Sequence, residues 1–532
     1  MPLAVSDVAA LLRLTGSVAR FVYHGCSPQR ARAILQSRLA RRPQLFLEMV
    51  ATAIWPFPDH PYRRLTDGAG WSLTSLRESV ERRGVDDTLR ALLDDGVSLT
   101  YDEFKGRRPL VRCGVEMECT EGDFNNRTVA ASYVERTSGS RSRGSSVPAS
   151  LQFVATQRAP ARIAFLDILG MARAPILIWV QRDPGMQWWL SLALLGNPPI
   201  RWLSLSARST VTKPQSMTAS LVRALGLLRG CRLPTIRPMP PTAVDEVLDL
   251  IVGTRRARGS CAVVTTPSTA TRLTGGAKAR GLTLDRVTFI AQGKPLTPGK
   301  HDDIVRSGAR VSSRYGFTEA GSISEGCLNP AAVDDTHLLS DCYGLVQAPR
   351  ALPNGATVRA LVVTSLLPHS PKVLLNVESD DFGEVSTRRC GCPWDAMGFH
   401  THISQIRSFS KLTGEGVTLL GTDCVRVIEE VLPRAFGGGS TDYQLLEVED
   451  AGHQTRLNLL VSPRVGAIDE SSVLAKFIEA FNDGPGGRFS PAFWREAGAL
   501  RVVRAEPVTT ANGKLFPFHT QALGVVREMA LP

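Results

Sequence analysis

Lysine is scarce in this chain, and its scarcity narrows the field. Only nine of the 62 Lys and Arg residues are Lys, and the arginines are spread along the sequence with no run interleaved by aromatics. The net charge of +12 therefore lacks the patch or stripe that nucleic-acid binding leaves in a sequence, and no nucleic-acid partner is expected. A long hydrophobic run is also missing. The most apolar region, 163–203, is broken by Asp167, Arg173, Arg182, Asp183 and several prolines, so it offers no apolar span of about 20 residues and no membrane partner is expected. Residues 1–14 lack the basic start and apolar run of a secretory signal, which makes a cytoplasmic location the expectation. In that compartment the ten cysteines are expected to stay reduced. Six of them (Cys26, Cys113, Cys119, Cys231, Cys261 and Cys424) stand apart without ligand-like spacing and read as small core residues.

What is present points to a large α/β protein. A chain of 532 residues exceeds what one core usually supports, so two or more domains are expected. Apolar residues at spacings of three and four over 8–14, 29–40 and 73–93 predict a mostly helical lead-in across 1–125. A low-complexity Gly/Ser/Arg stretch follows at 137–146, flanked by structured-looking sequence, which suits a loop inside a domain. Over 163–385 the pattern alternates, with strands expected at 176–180, 262–265, 287–291 and 358–364 and helices at 216–228, 242–251 and 270–280. That alternation predicts an α/β core over 126–407, with sheets flanked by helices. After Arg407 a helix at 423–432, strands at 443–449 and 454–461 and a helix at 471–481 predict a small α+β domain over 408–532.

The chemistry-bearing residues fall in blocks. Residues 314–321 read Arg-Tyr-Gly-Phe-Thr-Glu-Ala-Gly, placing a ring, a hydroxyl and a carboxylate on a short turn after a strand. Tyr315 can stack on adenine, Thr318 can bond a phosphate, and Glu319 can hold the Mg²⁺ that arrives with a nucleotide, because Mg²⁺ prefers oxygen ligands shared with phosphates. Tyr-Gly turns are common, so this block alone decides little. Upstream, Thr137, Ser138, Gly139, Ser140, Arg141 and Gly144 have the composition to curl backbone NH groups around phosphate oxygens. Between and beyond lie Gln292-Gly293-Lys294, the pair Asp380-Asp381, Arg407 and Asn512-Gly513-Lys514. Trp188, Trp189, Ala291 and Ser312 are candidates to line a pocket for a small acid, although helix-spaced aromatics are more often core.

In this order the blocks resemble the adenylate-forming superfamily of acyl-CoA ligases, adenylation domains and luciferases, and within it the phenylacetate-CoA ligase group, over roughly 62–518. The resemblance implies a large N-terminal AMP-binding domain with a mobile C-terminal lid, and an ATP-dependent acid–thiol ligase. It assigns Tyr315 to adenine, Thr318 to the α-phosphate, Glu319 to Mg²⁺, Gln292, Gly293 and Gly316 to the nucleotide, Asp381 and Arg407 to the ribose, and Lys514 to the carboxylate and α-phosphate. Some members of the group carry zinc on a Cys after the Thr-Glu pair, a His and a later Cys-x-Cys, which here would be Cys327, His337, Cys390 and Cys392. Three thiolates and an imidazole make a closed tetrahedral site, which is structural; the alternative is a reduced loop pair, with Cys342 as a spare thiol. A small carboxylic acid and coenzyme A are the implied substrates. A carrier-protein thiol or an amine as acceptor, a homodimer, and a degenerate nucleotide-binding scaffold stay open. Two departures motivate the last: Arg141 and Arg143 intrude on the phosphate loop, and Phe409 and Ser410 stand where the family has an acidic pair after the hinge arginine.

Overall fold

The computed structural model of the chain describes residues 16, 18, 19, 21, 23, 25–136, 146–205, 213–228, 230–351, 357–408, 412–414, 417–419, 427–439, 442–449, 455–482, 500–508 and 518–520. Among them the lead-in is helical as expected, through Pro28–Ala40, Arg42–Ala53, Pro61–Gly68 and Leu73–Asp94. Local chemistry sets these boundaries. Ser27 caps the first helix by accepting from the Arg30 amide, Pro28 sits where its missing N–H costs nothing, and Ser72 and Ser75 form a reciprocal capping box. The expected helix over 8–14 lies outside the described residues. A two-stranded hairpin, Leu110–Arg112 with Val115–Met117, interrupts the lead-in where a helical pattern was expected.

Twelve strands form one sheet among the described residues: β1 (Ile176–Val180), β2 (Arg201–Ser204), β3 (Ile236–Pro238), β4 (Cys261–Thr265), β5 (Val287–Ala291), β6 (Arg310–Phe317), β7 (Gly321–Gly326), β8 (Thr336–Leu338), β9 (Tyr343–Ala351), β10 (Thr357–Ser365), β11 (Val377–Thr387) and β12 (Thr401–Ser408). Their order across the sheet is β9-β10-β11-β12-β8-β7-β6-β5-β4-β1-β2-β3. The first six are mutually parallel. Strands β1, β4 and β5 are buried along their whole length, as the continuous apolar runs of a parallel sheet covered on both faces should be. Helices Arg182–Leu195, Val244–Arg258 and Pro267–Ala279 supply crossovers and cover the faces.

Strand β6 is where the sheet changes character. It runs parallel to β5 on one side and antiparallel to β7 on the other. In open α/β sheets, ligands bind outside the carboxyl ends of the strands, at the point where strand order reverses. Here the parallel order β3-β2-β1-β4-β5-β6 reverses between β1 and β4, and the carboxyl ends of β5 and β6 deliver Gln292 and Thr318 to the same edge.

The lead-in is tied to the antiparallel half by long-range bonds. Asn376, buried and held at φ +49°, donates to the carbonyls of Leu89 (2.8 Å) and Val97 (3.1 Å), and Leu99 bridges Val377 in parallel. Beyond residue 407, β13 (Tyr443–Glu449), β14 (Thr455–Val461), β15 (Leu500–Arg504) and β16 (Phe518–Thr520) form a second sheet in the order β15-β14-β13-β16. Helix Glu470–Asn482 packs with it, and Val473 and Phe477 share an apolar cluster with Tyr443, Leu457 and Leu459 that continues to Trp179 and Phe289. The helix expected at 423–432 is described only from Val427, as a π-helical turn running into Leu432–Phe436. No helix among the described residues is long and apolar enough to cross a membrane.

Candidate functional site

The Tyr315 block is built into the end of β6 and not onto a separate turn: the strand runs through Phe317, and only 318–320 turn. The reason is a bulge. Register with β7 shifts between Tyr315 and Gly316, and a side chain at Gly316 would place its Cβ 2.0 Å from the Gly321 carbonyl oxygen. Glycine is thus required by close backbone approach, and Thr318 and Glu319 follow at the strand's carboxyl edge.

Tyr315 and Asp381 are brought together. The Tyr315 hydroxyl donates to Asp381 Oδ2 (2.9 Å) and lies 3.3 Å from Ser379 Oγ; burial, together with the Asp381 carboxylate, pushes the phenol well above its ordinary range. Asp380, next in chain, is buried at φ +69°, a left-handed conformation that costs a non-glycine residue about 1 kcal/mol or more and clusters at functional sites. Arg407 sits opposite Phe382 across β11 and β12, so it is close in the sheet, yet its guanidinium goes to Asp334 Oδ2 (3.4 Å) and the Ile406 carbonyl (2.8 Å).

Gln292, just past β5, accepts from Trp188 Nε1 and Arg314 Nη1, both at 3.0 Å, and Gly293 turns the chain at φ +78°. Behind them is a charged core. Arg314 grips Glu325 through Nε (3.0 Å) and Nη2 (2.7 Å), and Arg158 grips Glu135 through Nη1 at 3.0 and 3.1 Å. A third buried arginine, Arg162, lies on Gln187 and Ser191; burial, then Arg314 and Arg158, holds it well below its usual pKa. Trp188 is stacked between Arg162 and Arg314, 5.4 and 4.8 Å from its ring centre. Trp188, Trp189 and Ala291 are fully buried, with Trp189 against Trp202 and its indole N–H on the Pro234 carbonyl. Ser312 packs beside Gly326. These four candidates for a substrate pocket are therefore core residues in this structure. Thr137, Ser138, Gly139, Ser140, Arg141, Gly144 and Lys514 lie outside the described residues, as do Phe409 and Ser410.

Glu319 is engaged differently from the expectation. Its carboxylate, 8% exposed, pairs with Lys105, 6% exposed, which also pairs with Glu121. Burial opposes both charges, but each outweighs it for the other: Lys105 titrates above its usual range and Glu319 below. A second ammonium, Lys372, donates to the Glu121 carbonyl at 2.5 Å; burial brings it down to about 8, against the pull of Glu121 and Glu319. The Glu319 carboxylate already pairs with the Lys105 ammonium, with the Lys372 ammonium acting on it from close by, so it does not fit Mg²⁺ as arranged. Neither lysine sits in a motif, although each is one of only nine in the chain.

The Cys/His cluster assembles. The ligand atoms of Cys327, His337, Cys390 and Cys392 all lie within 4.8 Å of one another. His337 Nδ1 is 2.8 Å from the Phe399 carbonyl, which can only accept, so Nδ1 carries the proton and Nε2 keeps its lone pair. That lone pair faces Cys392 Sγ (3.2 Å) and Cys390 Sγ (3.5 Å). Hydrogen bonding within the cluster splits the thiols, pushing Cys327 up and holding Cys392, on Cys327 and His337, far down. An outer shell fixes the group: His402 bonds Asp335 at 2.8 Å, and Arg388 reaches Asp335 and lies 3.7 Å from Cys327 Sγ. Three sulfurs and one correctly tautomerised imidazole fit a tetrahedral zinc ion. Cys342 stands apart, against Asp341.

No protein-family model matches the chain, and no curated protein does. Among solved structures it is similar to an amide bond synthetase from Marinactinospora thermotolerans, at 14% identity over 94% of this chain and 98% of that one, with a TM-score of 0.39. It is also similar to an acyl-CoA synthetase (AMP-forming)/AMP-acid ligase II-like protein from Dyadobacter fermentans (15% identity, 72% and 87% covered, TM-score 0.28). A third is an anthranilate CoA ligase in complex with anthranoyl-AMP (10% identity, 81% and 74% covered, TM-score 0.36). These solved structures are adenylate-forming enzymes. At such identities and TM-scores the functional reading rests on the chain's own residues.

Proposed function

We propose that the protein is an ATP-dependent, AMP-forming ligase that activates a small carboxylic acid. The observation that carries this reading is the hydrogen bond that brings Tyr315, near the end of β6, onto Asp381 of β11, with Gln292 following β5 and Thr318 following β6 in the chain. In the first half-reaction a carboxylate oxygen of the acid forms a bond to the α-phosphorus as the bond to the β-phosphate oxygen breaks, giving acyl-adenylate and pyrophosphate. In the second, a thiol attacks the acyl carbon and AMP leaves with the bonding pair. Coenzyme A is the proposed acceptor, in a phenylacetate-CoA ligase-like reaction on an aryl or medium hydrophobic acid. Tyr315 would have to exchange its hydroxyl's hold on Asp381 for the ribose. Lys514 is the proposed cation that neutralises charge developing between carboxylate and α-phosphate, and losing such a group costs roughly 10²- to 10³-fold in rate.

Zinc at Cys327, His337, Cys390 and Cys392 would be structural, joining the strand β8 region to the loop between β11 and β12. Residues 408–532 are proposed as the mobile lid.

The test is ATP–pyrophosphate exchange across a panel of carboxylic acids, with wild type and Lys514→Ala. Exchange with at least one acid, lost in the variant, is expected. Exchange unaffected by Lys514→Ala refutes that residue's role. A second reading, nucleotide binding without turnover, is favoured by the pairing of Glu319 with Lys105 and predicts no exchange with any acid.

A further inference from the structure

The pair at Glu319 has no counterpart in the assignments that the resemblance makes. Lys105 follows the short helix Tyr101–Phe104, whose start is fixed by a Thr100–Glu103 capping box. Its stem passes Tyr101 and Phe104, with the ammonium 5.6 and 5.7 Å from the ring centres, and Lys372 lies 5.6 Å from the same Phe104 ring. From there Lys105 reaches two carboxylates at once, Glu121 from its own stretch of chain and Glu319 from the far side of the sheet sequence. The position is therefore set by backbone placement and by aromatic walls, and not by a loose surface contact.

We propose that Lys105 is the resident cation of Glu319, standing where a divalent metal would otherwise bind, so that a metal gains this carboxylate only by displacing the ammonium. The local charges support this. Lys105 pairs with both Glu121 and Glu319, Lys372 acts on Glu319 from close by with Asp123 as a further carboxylate on it, and a dication added beside Glu319 would face two ammoniums in a water-poor site. Mg²⁺ also asks for near-octahedral oxygen ligation at short distance, whereas Glu319 Oε1 already accepts from the Lys105 ammonium. The metal that accompanies a nucleotide would then be held by phosphates and water. The inference deepens the reading of this edge as a nucleotide site and rests on it for the metal's origin, but its test needs no nucleotide.

That test is Mn²⁺ binding to the nucleotide-free, full-length protein, followed by the electron paramagnetic resonance of free Mn²⁺, for wild type, Glu319→Gln, Lys105→Gln and the double variant. Any Mn²⁺ taken up elsewhere is common to all four. Wild type and Glu319→Gln are expected to bind alike, Lys105→Gln to gain at least 10-fold in affinity at one site, and the double variant to lose that gain. Wild-type binding that Glu319→Gln abolishes would overturn the proposal. So would a folded Lys105→Gln protein with no gain. If Lys105→Gln does not fold, the comparison of wild type with Glu319→Gln decides alone. Pyrophosphate exchange is independent of all four measurements, so failure of the ligase reading is seen separately.

Discussion

Replacing Lys105 by Met should unbalance a buried ion cluster in the candidate site, and the size of the effect follows from its burial. Glu319 and Glu121 are 8% and 18% exposed at their side chains, so the substitution leaves two carboxylates with one ammonium. Removing one partner of a buried pair costs about 3–5 kcal/mol. Part of this is offset. Lys105 is one of the charges that lower Lys372, and without it Lys372 holds its proton more firmly beside the two carboxylates. A net loss of about 2–3 kcal/mol at pH 7 is expected from these opposing effects. The pH dependence has a definite sign. Glu319 titrates below its usual range in the folded protein, so its pairing stabilises above the unfolded carboxyl value of about 4.3 and the contribution is lost as pH falls below it. The gap between wild type and Lys105→Met should therefore be full at pH 7 and close only below about pH 4.3, as pH falls through the lowered folded value of Glu319. Urea unfolding of wild type, Lys105→Met, Glu319→Gln and the double variant measures it, with a coupling energy of about 1.5 kcal/mol or more expected from direct contact. Single-variant losses that add to within about 0.5 kcal/mol would refute the contact's importance.

Lys372, with a folded value of about 8 below its unfolded value of about 10.4, is disfavoured as a cation, so wild-type stability should rise with pH between those values. Lys372→Met should flatten that rise in a pH series of unfolding curves. Gly316→Ala should destabilise by about 2 kcal/mol or more, since its Cβ would lie 2.0 Å from a backbone oxygen and the bulge must move; a thermal melt reads it. Tyr315→Phe removes the bond to Asp381 and should cost about 1–2 kcal/mol by the same measurement. Elemental analysis of purified protein should find one zinc per chain, falling to substoichiometric in Cys392→Ser together with a lower melting temperature.

Three parallel strands, β1, β4 and β5, were legible because each is a short, mainly apolar run bounded by turn residues, and they fall within a residue of the expected ranges; β2 and β3, which carry Arg201 and Arg237, were not among the strands expected. The Cys/His set came from the resemblance, with the Cys-x-Cys pair as its local sign, and the structure brings the four ligand atoms together. Other features left no local trace. Lys105 meets Glu319 across 214 residues, and a salt bridge of that reach has no period or spacing by which to find it. The same holds for Arg158 with Glu135 and Arg314 with Glu325, which look like ordinary scattered arginines until the fold buries them. Trp188 and Trp189 misled in the opposite sense, since a helix packed on both sides presents aromatics that resemble a pocket lining and are filled in by arginine and core.

The Asn376 staple has a consequence for how the chain is made. Its bond to Leu89 spans 287 residues, so at roughly 5–20 residues per second the ribosome needs roughly 15–60 s to supply the partner after Leu89 has been added. Throughout that interval the helices of the lead-in have emerged while the strands they pack against do not yet exist. The bonds that pin the lead-in to the antiparallel strands can thus form only late in synthesis, long after Leu89 itself is made.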